Sequence, residues 1–186
     1  CVSLKKSPDI SKIYCFPGNA GTSDLAENIS LNLENFKELK SFILSNKIDL
    51  MVVGPEKPLV DGIVDFLEEN NIKVFGPNKI ASQLEGSKIF TKKLCEKYQI
   101  PTAKFGIFKN IKDSKEFIKM TKYPIVIKAD GLASGKGVYI CNIENDAQTA
   151  IKEIFDGKFG KAEHLLIEEF LEGEETVSYT HLRAHE

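Results

Sequence analysis

The chain has 186 residues, 42% hydrophobic and 28% charged, with a formal net charge of −2 and a pI of about 6.0. That composition is ordinary for a globular protein with one large domain or two small ones. It lacks the basic excess of a nucleic-acid or polybasic membrane binder, and no apolar run approaches ~18 residues, so neither partner nor a spanning helix is expected.

Val2 to Lys6 reads as the end of a helix, and no signal peptide is legible. Residues 13–16 form a short apolar run closed by Pro17-Gly18-Asn19, a strand followed by a turn. Phe36, Leu39, Phe42 and Ile43 recur at helical spacing, with Asn32 or Asn35 as the N-cap. Residues 50–53 are a continuous apolar strand ended by Gly54-Pro55. Val60, Ile63, Val64 and Leu67 mark one helix ending near Asn70-Asn71, and Val74-Phe75 is a strand closed by Gly76-Pro77. Three short apolar strands separated by helices imply a parallel sheet covered on both faces.

A helix over 87–98 is capped by Ser87 and stops before Pro101. The second part then runs strand 104–108, helix 113–120 with Phe117 and Met120 inward, strand 125–128, a glycine-rich stretch, strand 138–141, helix 144–155 and strand 165–169. Ala147, Ala150, Ile151 and Ile154 share the inward face of the longest helix. This order suggests a small α+β lobe.

Cys1, Cys15, Cys95 and Cys141 are far apart with no CxxC pair, which argues against a metal cluster or disulfide framework. Cys15 and Cys141 lie in apolar runs and are expected as buried thiols in a reduced cytoplasm.

The glycine-rich stretch comprises Asp130, Gly131, Leu132, Ala133, Ser134, Gly135, Lys136 and Gly137, preceded by Lys128 on a strand. Glycines allow backbone N–H groups to approach phosphate oxygens, and lysines supply the cations that a polyphosphate needs. It is not a Walker A loop. Three residues, not four, separate Gly131 from Gly135; Gly137 follows Lys136 where Ser or Thr is required; and a strand follows rather than a helix. Further on, an apolar strand runs into Glu168, Glu169, Phe170, Leu171, Glu172, Gly173, Glu174 and Glu175. Such a hinge can offer backbone groups to an adenine edge and a carboxylate to ribose hydroxyls.

Together these features resemble the ATP-grasp superfamily and, within it, the phosphoribosylamine–glycine ligase family. The resemblance is carried, in the family's order, by Pro17-Gly-Asn-Ala-Gly-Thr22, Val53-Gly-Pro-Glu-Lys-Pro-Leu-Val-Asp-Gly62, Phe75-Gly-Pro77, Gln83-Leu-Glu-Gly-Ser-Lys88 with Phe90-Thr-Lys92, Ile100-Pro-Thr102, and the stretches 125–138 and 167–175. It implies an α/β fold: a Rossmann-like parallel-sheet pre-ATP-grasp domain over 1–83, followed by the first (α+β) part of an ATP-grasp domain over 84–176, with a linker helix at 84–103 and a small lobe at 104–176. It implies ligation of glycine to 5-phosphoribosylamine through a glycyl phosphate at the expense of ATP, with Mg2+ or Mn2+. Nicotinamide-dependent oxidoreduction, another carboxylate–amine ligase and a non-catalytic nucleotide-binding fragment are the alternatives. The lysine and glycine-loop set argues against the first, and the motifs at 17–22 and 54–59 against the second.

By the same resemblance, Lys88 and Lys128 contact nucleotide phosphates, residues 130–137 close over them with Lys136 as a third cation, Glu168 to Leu171 hold adenine largely through backbone groups, and Glu175 binds ribose. Pro17, Gly18, Asn19, Gly54, Pro55, Glu56, Pro58 and Leu59 would hold phosphoribosylamine, with Glu56 toward the sugar hydroxyls. The family's first strand and Gly-Gly-Arg-Glu-His type loop have no counterpart before Cys1. Residues 177–186 resemble the translation of a transposase adapter used in sequencing libraries. His181 and His185 are then not ligands, His164 is a surface residue, and the metal ligands are expected past the chain's end.

Overall fold

The computed structural model describes residues 1–132, 136–174 and 176, so Ala133, Ser134, Gly135, Glu175 and the stretch 177–186 with His181 and His185 lie outside the described residues. The chain forms two compact units, Cys1–Ser82 and Gln83–Glu186. No helix among the described residues is long and apolar enough to cross a membrane.

In chain order the first unit contains α1 (Val2–Lys5), β1 (Tyr14–Cys15), β2 (Glu27–Asn28), α2 (Phe36–Ser45), β3 (Met51–Val52), α3 (Glu56–Asp61), α4 (Ile63–Glu69) and β4 (Val74–Phe75). Helix α5 (Lys79–Gly86) carries the chain into the second unit. The strands form two separate parallel pairs, β1 with β2 and β3 with β4. Parallel pairing is as the alternation of elements predicts, but the sheet is not covered on both faces. Each strand is two residues long, so Met51 and Val74 pack on the core while Val52 and Phe75 are 52% and 70% exposed.

The core is built from Leu39 and Ile43 of α2, Leu59 of α3, and Ile63, Val64 and Leu67 of α4. Asn35, not Asn32, caps α2, accepting from the Glu38 N–H at 3.3 Å; Asn32 accepts from Glu34 N–H instead. The single helix expected across residues 60–67 is two, because Gly62 adopts φ +96° and ends α3 in the left-handed region. Strand β2 has no apolar residue to mark it, and helix α5, with Ile80 and Leu84 at helical spacing, is a further element beyond those expected.

The second unit adds α6 (Lys88–Lys97), β5 (Phe105–Phe108), α7 (Ile111–Lys119), β6 (Ile125–Ala129), β7 (Val138–Cys141), α8 (Glu144–Phe155) and β8 (Leu165–Glu169). Its strands form one antiparallel sheet in the order β5-β8-β6-β7. Ile125, Ile127 and Ala129 of β6, and Leu165 and Ile167 of β8, share a core with Ile118 of α7 and with Ala147, Ala150, Ile151 and Ile154 of α8. Met120 is not inward: it caps the end of α7 and is 84% exposed, while Ile118 takes the buried position.

The four cysteines are free thiols. Cys141 is buried, but Cys15 is half-buried, its sulfur 3.3 Å from that of Cys1. His164 is half-buried.

Candidate functional site

The second unit's site begins at the N-terminus of α6. Ser87 adopts extended backbone and its Oγ accepts from Phe90 N–H at 3.1 Å, the cap expected from sequence. The Asp130 carboxylate, just past the end of β6, accepts from Ser87 Oγ at 3.1 Å and from Ile89 N–H at 3.2 Å. A carboxylate at a helix N-terminus meets both orphan N–H groups and the positive end of the helix dipole. Lys88 donates from Nζ to the Gly131 carbonyl at 3.0 Å. Gly131 has φ +94° and open space around it, a turn that favours glycine. The first turn of α6 is therefore tied to the entrance of the glycine-rich hairpin. That hairpin is closed by Ala129 N–H donating to Gly137 O at 2.8 Å. Leu132 and Lys136 are exposed and Gly137 is buried.

On the sheet face opposite α7 and α8, Lys128 and Glu168 come together. β6 and β8 pair with Val126 opposite Glu168 and Lys128 opposite Leu166, so the two charged residues are diagonal neighbours. Lys128 Nζ donates to Glu168 Oε2 at 3.0 Å. A third residue completes the cluster: Lys92 of α6, whose Nζ lies 3.3 Å from the same Oε2, 2.6 Å from Thr102 Oγ1 and 3.2 Å from the Ala103 carbonyl. Glu168 is 6% exposed, and its Oε1 is buried without a hydrogen-bond partner among the described residues. A buried carboxylate oxygen in that state is costly and invites an incoming donor. Sequence reasoning gave Lys92 no role. Its signals are its place in the Phe90-Thr-Lys92 motif and its position four residues after Lys88 on the same helix face.

Glu168 is paired on both sides, to Phe105 and to Val126. Glu169 donates its N–H to Lys104 O at 3.0 Å and accepts Lys104 N–H at Oε1 at 2.8 Å. The backbone left open along 168–171 belongs to Phe170 and Leu171, which are 37% and 64% exposed and make no backbone bond among the described residues.

In the first unit, Pro17 and Gly18 follow β1, and Gly18 has φ +78° with the Asn28 side chain where its Cβ would stand. Asn19 Oδ1 accepts from Gly21 N–H at 2.8 Å and Thr22 N–H at 3.1 Å, so this side chain shapes the loop that follows β1. Asn28 of β2 braces it, donating to Asn19 O at 2.8 Å and accepting from Thr22 Oγ1 at 2.7 Å. Gly54, Pro55 and Glu56 are exposed at the start of α3, whereas Pro58 and Leu59 are buried in it. No hydrogen bond or ion pair joins Glu56 to Asn19 among the described residues. A cavity of about 340 Å³ lined by Lys5, Lys12, Asp24 and Glu27 among others contains none of these candidates. No three His, Cys, Asp or Glu side chains converge on a metal position among the described residues.

Comparison with known proteins gives a consistent picture. Two family models match: "Phosphoribosylglycinamide synthetase, N domain" over residues 1–85 and "Phosphoribosylglycinamide synthetase, ATP-grasp (A) domain" over residues 86–185. The chain is 48% identical over 173 residues to the phosphoribosylamine–glycine ligase of Mesorhizobium japonicum, covering 92% of this chain and 41% of that protein. It is 47% identical over 174 residues to the Clostridium acetobutylicum protein of the same name, covering 92% and 42%. The crystal structure of phosphoribosylamine–glycine ligase from Thermotoga maritima superposes with a TM-score of 0.70 at 34% identity, covering 88% of this chain and 39% of that one. The chain thus spans about two fifths of the length of the relatives it matches.

Proposed function

Because the chain belongs to the phosphoribosylglycinamide synthetase family, we propose that it carries the nucleotide-binding front of a C–N ligase that joins glycine to 5-phosphoribosylamine with ATP. The observation that carries this reading is the buried Glu168, whose Oε1 has no hydrogen-bond partner among the described residues, beside Lys128 and just before the open backbone of Phe170 and Leu171 on the same segment. A buried acceptor oxygen with no partner suits the exocyclic amine of adenine, and exposed backbone groups suit the ring edge next to it. Lys88 and Lys128 supply positive charge at the two ends of the turn leading into the glycine-rich hairpin, where a phosphate chain would lie.

The chemistry follows from leaving groups. A carboxylate cannot expel oxide at neutral pH. Glycine's carboxylate oxygen attacks the γ-phosphorus of ATP, the bond to the bridging oxygen breaks, and ADP leaves. The amine of phosphoribosylamine then attacks the acyl carbon, and inorganic phosphate departs as the C–N bond forms and the amine loses its proton. The protein's share is positioning and charge neutralisation, which the two lysines provide on the phosphate side. Mg2+ or Mn2+ would shield the phosphate oxygens from the incoming carboxylate; no described side chain is assigned to it. Asn19 and Glu56, with Pro17, Gly18, Gly54 and Pro55, are assigned to phosphoribosylamine, the first loop being held in shape by Asn28; Pro58 and Leu59, being buried, would support α3. The cytoplasm, where purine precursors are made, is the assigned compartment.

Two measurements test this. Titration of the 186-residue chain with ATP should show saturable binding that Lys88→Met and Lys128→Met each weaken by about tenfold. A chimera in which this chain's aligned segment replaces that of the Clostridium acetobutylicum relative should release phosphate from ATP only when both glycine and phosphoribosylamine are present. Release with either one absent, or no ATP binding, would count against the reading.

A further inference from the structure

We propose that Lys92 is a positioning residue: it is the standing counter-ion of Glu168, and its presence frees Lys128 to turn to a nucleotide's phosphates. The inference rests on the nucleotide reading above and concerns the division of labour between the two lysines on one carboxylate.

The two ammonium groups share Glu168 Oε2, at 3.3 Å for Lys92 and 3.0 Å for Lys128. Their surroundings differ. An ammonium has three N–H donors, and Lys92 has three acceptors in place: Glu168 Oε2, Thr102 Oγ1 and the Ala103 carbonyl. Its side chain is 11% exposed, and the Phe105 ring lies 5.5 Å from Nζ. Lys92 is therefore saturated and held by the segment between α6 and β5. Lys128 has one acceptor among the described residues, and its side chain is 27% exposed. It retains donors and room to move, and it stands at the end of β6, two residues before Asp130 and three before Gly131.

Suppose Lys128 alone served Glu168. Each time a polyphosphate drew it away, a carboxylate 6% exposed would be left buried and unpaired, which is among the most costly arrangements in a protein. Lys92 removes that penalty. It cannot follow a ligand, and it keeps Oε2 compensated whichever way Lys128 points. Oε1, which faces neither lysine within bonding distance, stays available as an acceptor.

The test compares ATP with adenosine, which lacks the phosphates, by calorimetry on the 186-residue chain. Parent protein should prefer ATP. In Lys92→Met, Lys128 is committed to Glu168, so the ATP preference should fall by about tenfold, the size of a charged hydrogen bond, while adenosine affinity changes little. Lys92→Gln, which keeps a donor for Ala103 O and Thr102 Oγ1, should behave the same way and serves where the methionine variant does not fold. Lys92→Gln combined with Glu168→Gln should regain the preference, because no carboxylate then detains Lys128. Equal weakening of ATP and adenosine in the single variants would make Lys92 a packing residue and overturn the proposal, as would a double variant that regains nothing. Parent binding with an unchanged ATP-to-adenosine ratio in the single variants overturns this inference alone. Absence of ATP binding by the parent overturns it together with the nucleotide reading.

Discussion

Ser87 and Asp130, 43 positions apart, share one end of a helix: the serine hydroxyl caps α6 from within, and donates in turn to the carboxylate that caps it from β6. The cap is thus built from two distant segments, and it joins the helix bearing Lys88 and Lys92 to the strand bearing Lys128. Replacing Asp130 by Ala should lower stability by about 1–2 kcal/mol, the range for a lost helix cap with a charged acceptor. Asp130→Asn, which keeps an acceptor, should lose less. Urea denaturation followed by circular dichroism measures both, and equal stabilities for the three proteins would contradict the capping role.

Among the described residues, Glu168 is the one carboxylate of the second unit that faces two buried or half-buried ammonium groups. Glu168→Ala leaves both without a counter-ion and should cost about 3–5 kcal/mol, the range seen when one partner of a buried ion pair is removed. Glu168→Gln retains an acceptor and the volume and should cost less. The denaturation midpoints decide, and an alanine variant as stable as the parent would show that the paired carboxylate contributes little.

Gly62 separates α3 from α4 at φ +96°. A methyl group there meets the Lys79 Cδ at 3.1 Å, the flexible end of a side chain, so the cost is mainly conformational. Gly62→Ala should destabilise by about 1–2 kcal/mol. Gly54, with no atom within 4 Å of its Cβ position and no positive φ, is the matched control and should tolerate Ala nearly without effect. Thermal melts of the two variants should separate clearly.

Burial raises the Cys141 thiol from its usual 9.0 to about 11, with Asp146 adding to the effect. The folded state thus holds its proton more tightly than the unfolded chain does. Cys141 costs nothing below about pH 9; stability is lost as pH rises from there through about 11. Cys141→Ala should flatten that part of the stability profile. In the parent, iodoacetamide at pH 8 should modify Cys1 and Cys15 well before Cys141, read by mass spectrometry of peptides. Early labelling of Cys141 would argue against its burial.

Much of this fold was legible because it is local. The β8 strand, the helix Glu144–Phe155 with its four inward residues, and the Ser87 cap all depend on hydrogen bonds and periodicities within a few residues. Met120 failed by one position at a helix end, where fraying and capping outweigh the 3.6-residue period. Strand β2 carried no signal, since two polar residues cannot show a pattern. The glycines at 18 and 131, read from sequence as turn residues, adopt positive φ.

The sequence by itself determined the helices and strands of the second unit, where the glycine-rich hairpin lies, and the family to which the chain belongs. It did so because propensity, capping and motif order are written along the chain. Only the tertiary structure decided what Asp130, Lys92 and Glu168 do. The Asp130 carboxylate ends on a helix 43 positions earlier, and Glu168 meets Lys128 40 positions away. A buried charge is compensated through space, across a sheet and against a helix, and nothing in local spacing records which partner it will find.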